Sequence, residues 1–400
     1  MTLARVVIVG ASLAGLRATE ALRHHGYDGR LTVIGAEPHM PYDRPPLSKQ
    51  VLAGDWDADR TVLPVGDGED LAVDWMLGRE ATGLDLTDHV VALDGGERLP
   101  YDGLVIATGA TPRTLAGTGA LAGIHTLRTI DDCLAIRAAL DESPTRVVVV
   151  GAGFIGAEVA ATCRVRGLDV TLLEALPVPL GRALGDEMGA VCAAIHREHG
   201  VDLRLGVGVA AFEGTDRVER VVLADGRAVG ADLVVVGVGV APNTDWLEGS
   251  GLTLSDGVVC DETCLAAPGV VAAGDVARWR NPLFDEVMRV EHWDNAIEQG
   301  EAAAVRLLAG DGPAEPFAPV PWFWSDQYDR KLQLAGRSAP YDELRVVDGS
   351  VEERRFAALY RRGDRVVGVL GVNRPRVVMQ YRRLIAEGAT WAAALEAAEG

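Results

Sequence analysis

The chain is predicted to adopt an α/β fold with two Rossmann-like dinucleotide-binding domains and an α+β C-terminal domain. Two glycine-rich turns, Gly10-Ala-Ser12-Leu-Ala-Gly15 and Gly151-Ala-Gly153-Phe-Ile-Gly156, each follow a β-branched run and precede a helical pattern. Beyond a proline-rich break at residues 313–321, apolar alternation and a final helical pattern over residues 377–394 indicate a separate segment. These observations predict two related domains and a third domain of a different kind.

Each of the two related domains contains the successive parts of a nucleotide-binding unit. The predicted strands before the turns are residues 6–9 and 147–150, and the helices that follow open over residues 16–22 and 157–163. Acidic residues, Glu37 and Glu174, end the next strand pattern of each unit. The glycines permit a tight turn, the helix N-terminus attracts a pyrophosphate, and the acid bonds a ribose hydroxyl. Two dinucleotides in one chain indicate electron transfer.

Internal repetition suggests where the domains begin and end. An apolar strand closed by glycine at residues 104–109 recurs at residues 233–239. Ala272-Ala-Gly274-Asp275 places an acid after another buried strand, and residues 291–306 have helical spacing, so we assign this stretch to the first domain. The predicted domains are residues 1–115 with 240–315, residues 116–239, and residues 316–400. The adjacent prolines Pro45 and Pro46 predict an extended loop over residues 41–49.

Composition narrows the class of protein. A net charge of −20 over 400 residues argues against nucleic acid and anionic membranes as partners. No apolar run is long enough to span a bilayer, the N-terminal stretch lacks a cleavage site, and no metal site is predicted. The five cysteines are scattered, odd in number and without a C-x-x-C pair, which suits reduced thiols in the cytoplasm. The chain has two lysines, Lys49 and Lys331, against many arginines, which makes Lys49 a candidate functional residue.

Several longer motifs resemble those of the FAD-dependent ferredoxin reductases that serve bacterial oxygenases. They are the loop at residues 41–49, Ala107-Thr-Gly109, the second glycine turn ending in Glu158, Gly274-Asp275, Glu291-His-Trp293, and Trp322-Phe-Trp324-Ser-Asp326-Gln327. The resemblance covers essentially the whole chain and implies the glutathione reductase fold, with a split FAD domain, an inserted NAD domain and a C-terminal domain. Related disulfide reductases carry a cysteine pair where this chain has residues 42–49, and its absence supports delivery of single electrons.

The resemblance implies a set of FAD-binding residues. They are Gly10, Ser12, Gly15, Glu37, Arg44, Lys49, Thr108, Gly109, Arg128, Gly274, Asp275, Glu291, His292, Trp293 and Trp324. Glu37 would bind the adenosine ribose and Asp275 the ribityl chain; the alternative is that Asp275 merely caps the following turn. Trp293 and Trp324 either lie near the flavin or pack between domains. Ser12 replaces the usual second glycine, and its small size keeps the turn compatible with FAD.

The resemblance also implies an NAD-binding set and a catalytic pair. The NAD set is Gly151, Gly153, Ile155, Gly156, Glu158, Glu174, Arg182 and Gly239. Glu174 favours NADH because a carboxylate repels the extra phosphate of NADPH, while Arg182 lies several residues downstream. Lys49 and Glu158 would pair to orient the nicotinamide and to steady the charge of the reduced flavin. The alternative is a surface ion pair without a kinetic role.

The implied function is that of an NADH:ferredoxin oxidoreductase. A hydride passes from NADH to FAD, and single electrons then leave for an acidic 2Fe-2S ferredoxin that supplies a haem-thiolate monooxygenase or a ring-hydroxylating dioxygenase. Alternatives are a rubredoxin reductase, an NADH oxidase, or a redox-sensing binding protein resembling apoptosis-inducing factors. A monomer is favoured. The C-terminal arginines are either solvated or form a docking face for the ferredoxin: Arg354, Arg355, Arg361, Arg362, Arg365, Arg374, Arg376, Arg382 and Arg383.

Overall fold

The computed structural model describes residues 3–66 and 70–399, so residues 1, 2, 67–69 and 400 of the predicted domains lie outside the description. Its strands are β1 (Arg5–Val9), β2 (Arg30–Gly35), β3 (Val73–Leu77), β4 (Ala81–Asp85), β5 (Val90–Leu93), β6 (Arg98–Pro100), β7 (Gly103–Ile106), β8 (Ala110–Pro112), β9 (Ile124–Thr126), β10 (Arg146–Val150), β11 (Asp169–Glu174), β12 (Asp202–Leu205), β13 (Val209–Gly214), β14 (Val218–Leu223), β15 (Ala228–Gly230), β16 (Leu233–Val236), β17 (Val240–Pro242), β18 (Val258–Val259), β19 (Leu265–Ala267), β20 (Val270–Ala272), β21 (Ala277–Asn281), β22 (Glu286–Met288), β23 (Trp322–Gln327), β24 (Arg330–Gly336), β25 (Glu343–Ser350), β26 (Arg355–Arg362) and β27 (Arg365–Val372). Its helices are α1 (Leu13–His24), α2 (Gln50–Ala53), α3 (Ile130–Asp141), α4 (Phe154–Val165), α5 (Gly181–Leu184), α6 (Asp186–Glu198), α7 (Trp293–Ala309), α8 (Pro375–Ala386) and α9 (Trp391–Glu399).

The chain divides into two compact units. The first unit comprises residues 1–43, 61–111 and 241–321, and the second unit comprises residues 44–60, 112–240 and 322–400. The predicted division into three domains stays a prediction, because the two units group the residues in another way.

A six-stranded sheet forms the centre of the first unit, in the order β19-β20-β7-β1-β2-β3. β1 pairs in parallel with β2 on one side and with β7 on the other. Val6 and Ile8 belong to one buried cluster with α1 and α7, whereas Val7 and Val9 belong to another with Trp279. Burial on both faces explains why residues 6–9 of β1 are an uninterrupted apolar run.

The second unit contains a parallel sheet in the order β12-β11-β10-β16-β9 and an antiparallel sheet in the order β23-β24-β27-β26-β25. β10 lies between β11 and β16, which places the second glycine turn at the carboxyl edge of the parallel sheet. The antiparallel sheet and the helices α8 and α9 form the C-terminal part. The predicted α/β fold class with an α+β C-terminal segment is confirmed.

Two local predictions were wrong. The single helical pattern over residues 377–394 is two helices, because Gly388 adopts a positive φ of 67° and the Thr390 hydroxyl accepts the Ala393 N–H at the start of α9. The loop predicted to be extended contains a 3-10 turn at Pro45–Ser48. Prolines suit the first positions of a helix, where their missing N–H is not needed.

None of the helices described between residues 3 and 399 is long and apolar enough to cross a membrane.

Candidate functional site

The first glycine turn, in the first unit, brings backbone atoms closer together than any side chain allows. Gly10 adopts a φ of 123°, and a Cβ atom there would lie 2.0 Å from the Ala107 carbonyl oxygen. A Cβ atom on Gly15 would lie 1.8 Å from the Gly10 carbonyl oxygen. Ser12 is the N-cap of α1, but its side chain makes no capping hydrogen bond and the first turn contains no acid. The amide groups at the start of α1 therefore suit an anionic ligand.

A second polar feature of the first unit lies where α7 meets the turn after β20. Gly274 has a φ of 75°, and a Cβ atom there would lie 3.0 Å from the Cβ of Ala14. Its N–H donates to Gln299 Oε1 at 2.9 Å, and Asn295 Nδ2 donates to the same oxygen at 3.1 Å. Among the described residues, Asn295 Oδ1 and Gln299 Nε2 are buried without a hydrogen-bond partner. Such atoms fit a cofactor rich in polar groups.

Sequence reasoning missed Asn295 and Gln299. The signal was present, because two amide side chains four residues apart interrupt the apolar spacing of a predicted helix. Asn243 was also missed as a site residue. Its Nδ2 donates to the Thr108 carbonyl at 2.8 Å, the Thr108 hydroxyl donates to its carbonyl at 2.9 Å, and its N–H donates to the Gly109 carbonyl. Asn243 therefore holds Thr108 and Gly109 in place.

Three acidic residues of the predicted FAD set lie in this unit: Glu37, Asp275 and Glu291. Glu37 lies just after β2 and accepts a hydrogen bond from the Tyr42 hydroxyl. Asp275 is partly exposed in the turn after β20. Glu291 Oε1 accepts from Arg289 Nη1 at 2.6 Å, and Arg289 Nη1 also donates to the Asp275 carbonyl at 3.1 Å. The Arg289 side chain therefore connects the Gly274-Asp275 turn to Glu291.

The start of α7 carries the remaining two members of that set in the first unit. His292 is the N-cap residue and Trp293 the first residue of the helix. Trp293 Nε1 donates to Asp43 Oδ1 at 2.8 Å, which fixes the indole ring against residues 41–43. Three predicted FAD residues, Arg44, Lys49 and Arg128, belong to the second unit, as does Trp324.

The second glycine turn, in the second unit, has the geometry of the first. A Cβ atom on Gly151, whose φ is 95°, would lie 2.3 Å from the Gly237 carbonyl oxygen, and one on Gly156 would lie 1.9 Å from the Gly151 carbonyl oxygen. Gly153 is the N-cap of α4, and a Cβ atom there would meet nothing within 4 Å. The amide end of α4 is thus open beside a turn that only glycine can form.

Glu174 lies beside this turn. Its Oε2 accepts the Ala152 N–H at 2.7 Å, and its Oε1 accepts the Leu176 N–H at 2.9 Å. Two backbone donors fix the carboxylate at the end of β11 and leave lone pairs for a ribose hydroxyl. Of the other predicted NAD residues, Ile155 and Arg182 are exposed, and Gly239, with a φ of 99°, accepts the Arg113 N–H.

Lys49 and Glu158 form a buried ion pair within the second unit. Lys49 Nζ lies 2.7 Å from Glu158 Oε2, and the two side chains are 11% and 3% exposed. Ser48 and Ser325 also donate to this carboxylate, at 2.5 and 2.8 Å. The backbone next to Lys49 is also held in place, because the carbonyl of the preceding residue, Ser48, accepts a hydrogen bond from the Thr162 hydroxyl at 2.8 Å. The alternative of a surface pair does not fit this burial.

Arg44, Arg128 and Trp324 make their own contacts in the second unit. Arg44 Nη1 donates to the Arg128 carbonyl at 2.7 Å. Trp324 stacks on Trp322 with ring centroids 5.2 Å apart, and Lys331 Nζ lies 5.9 Å from the centre of the Trp324 ring.

The cysteines of this protein are poorly suited to nucleophilic or disulfide chemistry. Within residues 3–66 and 70–399, Cys133, Cys163, Cys192, Cys260 and Cys264 are buried free thiols. Burial raises the pKa of Cys133, Cys163, Cys192 and Cys260 to about 12 and raises that of Cys264 further. Thiols in this state do not ionise near neutral pH and are poor nucleophiles.

The C-terminal arginines are only partly available to a partner. Arg354 pairs with Glu198 at 2.7 Å, Arg361 with Glu343 at 3.1 Å, and Arg383 with Glu387 at 2.8 Å. Arg374 pairs with Asp348. Arg355, Arg365 and Arg376 are exposed, so these three residues are the better candidates for contact with an acidic protein.

Comparison with known proteins explains the two nucleotide cradles, by which we mean each glycine turn together with the amide end of the helix that follows it, α1 or α4. Residues 4–300 match the family described as pyridine nucleotide-disulphide oxidoreductase, and residues 322–399 match the family described as reductase C-terminal. The first match covers most of the chain and both glycine turns. The chain belongs to the pyridine nucleotide-disulphide oxidoreductase family. FAD and NAD(H) binding follows from that membership, and the cradles in the two units fit two dinucleotides.

Several members of the pyridine nucleotide-disulphide oxidoreductase family are similar over nearly the full length. Rhodocoxin reductase of Rhodococcus erythropolis is 39% identical over 386 residues, which cover 95% of this chain and 89% of that protein. Putidaredoxin reductase of Pseudomonas putida is 37% identical over 391 residues, covering 96% and 92%. The crystal structure of a covalent putidaredoxin reductase–putidaredoxin complex matches with a TM-score of 0.90 and 36% identity, covering 96% of this chain and 93% of that one. The predicted ferredoxin reductase resemblance is confirmed, whereas the roles of individual residues stay predictions.

Proposed function

We propose that this protein is an NADH:ferredoxin oxidoreductase that carries electrons to a 2Fe-2S ferredoxin, which in turn supplies a haem-thiolate monooxygenase or a ring-hydroxylating dioxygenase. The observation that carries this proposal is the presence of two dinucleotide cradles in a chain whose five thiols are all buried. A chain without a reactive dithiol has no disulfide route for electrons. The likeness to rhodocoxin reductase and putidaredoxin reductase over about the whole length supports a ferredoxin as the acceptor.

The chain's residues divide the work by position. The first glycine turn and the amides at the start of α1 would hold the FAD pyrophosphate, with Glu37 on the adenosine ribose. FAD, when bound, supplies the conversion of a hydride into single electrons. The turn at Gly151 and the start of α4 would hold the NADH pyrophosphate, and Lys49 would keep one positive charge beside the reacting rings.

Ferredoxin-dependent reduction of cytochrome c tests the proposed function. The purified yellow protein is mixed with NADH and cytochrome c, with and without an added 2Fe-2S ferredoxin. We expect cytochrome c reduction to increase at least about tenfold with ferredoxin. The ferredoxin would take electrons from the flavin and pass them to cytochrome c, which the flavin itself reduces poorly. Bleaching of the flavin by NADH without any effect of several such ferredoxins would reject the proposal.

The same preparation separates the alternatives. An NADH oxidase would consume oxygen rapidly in the absence of ferredoxin, and a rubredoxin reductase would respond to rubredoxin instead. A redox-sensing binding protein would form a long-lived complex of reduced flavin and nicotinamide that a ferredoxin reoxidises slowly. The rates at which oxygen, rubredoxin and ferredoxin reoxidise the reduced flavin therefore distinguish these functions.

Glu174→Ala is expected to weaken NADH binding and to narrow the preference for NADH over NADPH. The carboxylate lies beside the Ala152 N–H, where it accepts ribose hydroxyls and repels a 2'-phosphate. We expect the KM for NADH to rise about tenfold and the KM for NADPH to stay equal or to fall. Steady-state kinetics with both nucleotides measures this, and Glu219→Ala, an exposed acid of the same unit, is the control. Unchanged kinetics would remove Glu174 from the ribose site.

We further propose that the protein works in the cytoplasm as a monomer. Five reduced thiols suit that compartment. An acidic ferredoxin would approach through local positive charge, for which Arg355, Arg365 and Arg376 are candidates.

A further inference from the structure

The Glu158 carboxylate accepts hydrogen bonds from three side chains and one backbone N–H. At Oε2 the donors are Lys49 Nζ at 2.7 Å and Ser48 Oγ at 2.5 Å. At Oε1 they are Ser325 Oγ at 2.8 Å and the Asp326 N–H at 3.3 Å. Ser48, Glu158 and Ser325 are at most 2% exposed, so water cannot replace a donor that is lost. Four donors therefore fix both oxygens of one buried carboxylate.

We infer that Ser325 is a positioning residue for the Lys49–Glu158 pair: its hydroxyl fixes Oε1 of the Glu158 carboxylate and so holds Oε2 toward Lys49. This inference rests on the proposed function of that pair in NADH oxidation. Ser325 Oγ has one hydrogen, which it donates to Glu158, and it accepts from Gln327 Nε2 at 3.2 Å. With Oε1 fixed by Ser325 and Asp326 on β23, the carboxylate cannot rotate away from Lys49. The C-terminal sheet thereby sets the orientation of a side chain on α4.

Other charged groups near α4 do not compete for Glu158. Lys49 is the charged group of residues 45–53 that contacts it, and Asp326 on β23 directs its carboxylate to Lys331 at 3.0 Å. β11 contributes Glu174, which is bonded to backbone N–H groups, and β10 contributes Arg146, which pairs with Asp232. β16 is apolar. Loss of the Ser325 hydroxyl would therefore act directly on the protonation of Glu158.

Ser325→Ala tests the inference through the pH profile of flavin reduction by NADH, measured by stopped flow. Without this donor, protonated Glu158 becomes easier to form, so the acidic limb of the rate profile is expected to move up by about one pH unit or more. Ser325→Thr, which restores the hydroxyl, is expected to return the limb to its original position. Ser338→Ala is the matched control, because Ser338 is also buried and donates to the Ala183 carbonyl, away from Glu158.

A second readout does not depend on turnover. Carbon-13 NMR of protein labelled at the glutamate side-chain carboxyls follows the titration of Glu158, which Glu158→Gln identifies in the spectrum. We expect Glu158 to titrate about one pH unit or more higher in Ser325→Ala than in the parent and in Ser338→Ala. If Ser325→Ala fails to fold, Ser325→Cys, with a weaker donor, is measured instead and is expected to shift in the same direction.

The two readouts distinguish two kinds of failure. If NADH does not reduce the flavin of the parent protein, the proposed function is wrong, and the NMR titration still tests Ser325. If the flavin is reduced normally while Ser325→Ala and Ser338→Ala lose equal stability and leave both titrations unchanged, Ser325 is only a packing residue and the inference is overturned.

Discussion

Gly10→Ala is expected to yield a protein without bound FAD and with a strongly destabilised first unit. The added Cβ would lie 2.0 Å from the Ala107 carbonyl oxygen, and the φ of 123° is one that alanine rarely adopts. Relieving the overlap would separate β1 from β7 at the point where the pyrophosphate cradle forms. The overlap costs about 1–3 kcal/mol and the backbone strain about 1–2 kcal/mol, so we expect a total loss of about 2–5 kcal/mol.

Gly26→Ala is the matched control for this change. Gly26 follows α1 as Gly10 precedes it, and its φ of 84° is also positive, but a Cβ atom there meets nothing within 4 Å. We expect a loss of about 1–2 kcal/mol and full FAD content, since only backbone strain is added. Flavin absorbance per protein and urea unfolding measure both effects. Equal behaviour of the two variants would show that the close approach at Gly10 is unimportant.

The parts of the fold that depend on local chemistry could be predicted from the sequence. β1, α1, β10 and α4 lie where the β-branched runs and glycine turns predicted them. Glycine at positions 10 and 151 is required by contacts with carbonyls that directly follow later strands, yet the local pattern of strand, turn and helix already carried that information. The short break between α8 and α9 was missed because one glycine within an apolar periodic pattern is a weak signal.

The supporting residues of the site could not be predicted in the same way. Asn243 lies 135 residues from Thr108, and Ser325 lies 167 residues from Glu158. A hydroxyl or an amide far away in the chain has no spacing that links it to its partner. Only the fold brings such residues together, and general family resemblance pointed to Lys49 and Glu158 but not to the serines beside them.

Lys49→Met is expected to slow reduction of the flavin by NADH about 100-fold while FAD stays bound. Lys49 supplies the charge next to Glu158, and both side chains are nearly inaccessible to solvent. Methionine is similar in length but neutral, so the reacting rings would lose a preorganised positive charge, which is worth about 100- to 1,000-fold in comparable sites. Stopped-flow absorbance at the flavin band measures the rate, and NADH titration separates binding from the rate.

Lys331→Met is the control offered by the only other lysine in the chain. The two side chains of its ion pair with Asp326 are 45% and 31% exposed, so screening by water leaves little energy to lose. We expect an unchanged rate of flavin reduction for this variant. A normal rate for Lys49→Met as well would remove Lys49 from the mechanism.

The double variant Lys49→Met with Glu158→Gln separates charge loss from instability. Lys49→Met alone leaves a buried carboxylate without its cation, which by itself destabilises the second unit. Neutralising Glu158 removes that uncompensated charge, so we expect the double variant to regain stability toward unfolding. Its rate of flavin reduction is expected to stay low, because the positive charge is still missing. Recovery of the rate together with stability would mean that Lys49 serves only to neutralise Glu158.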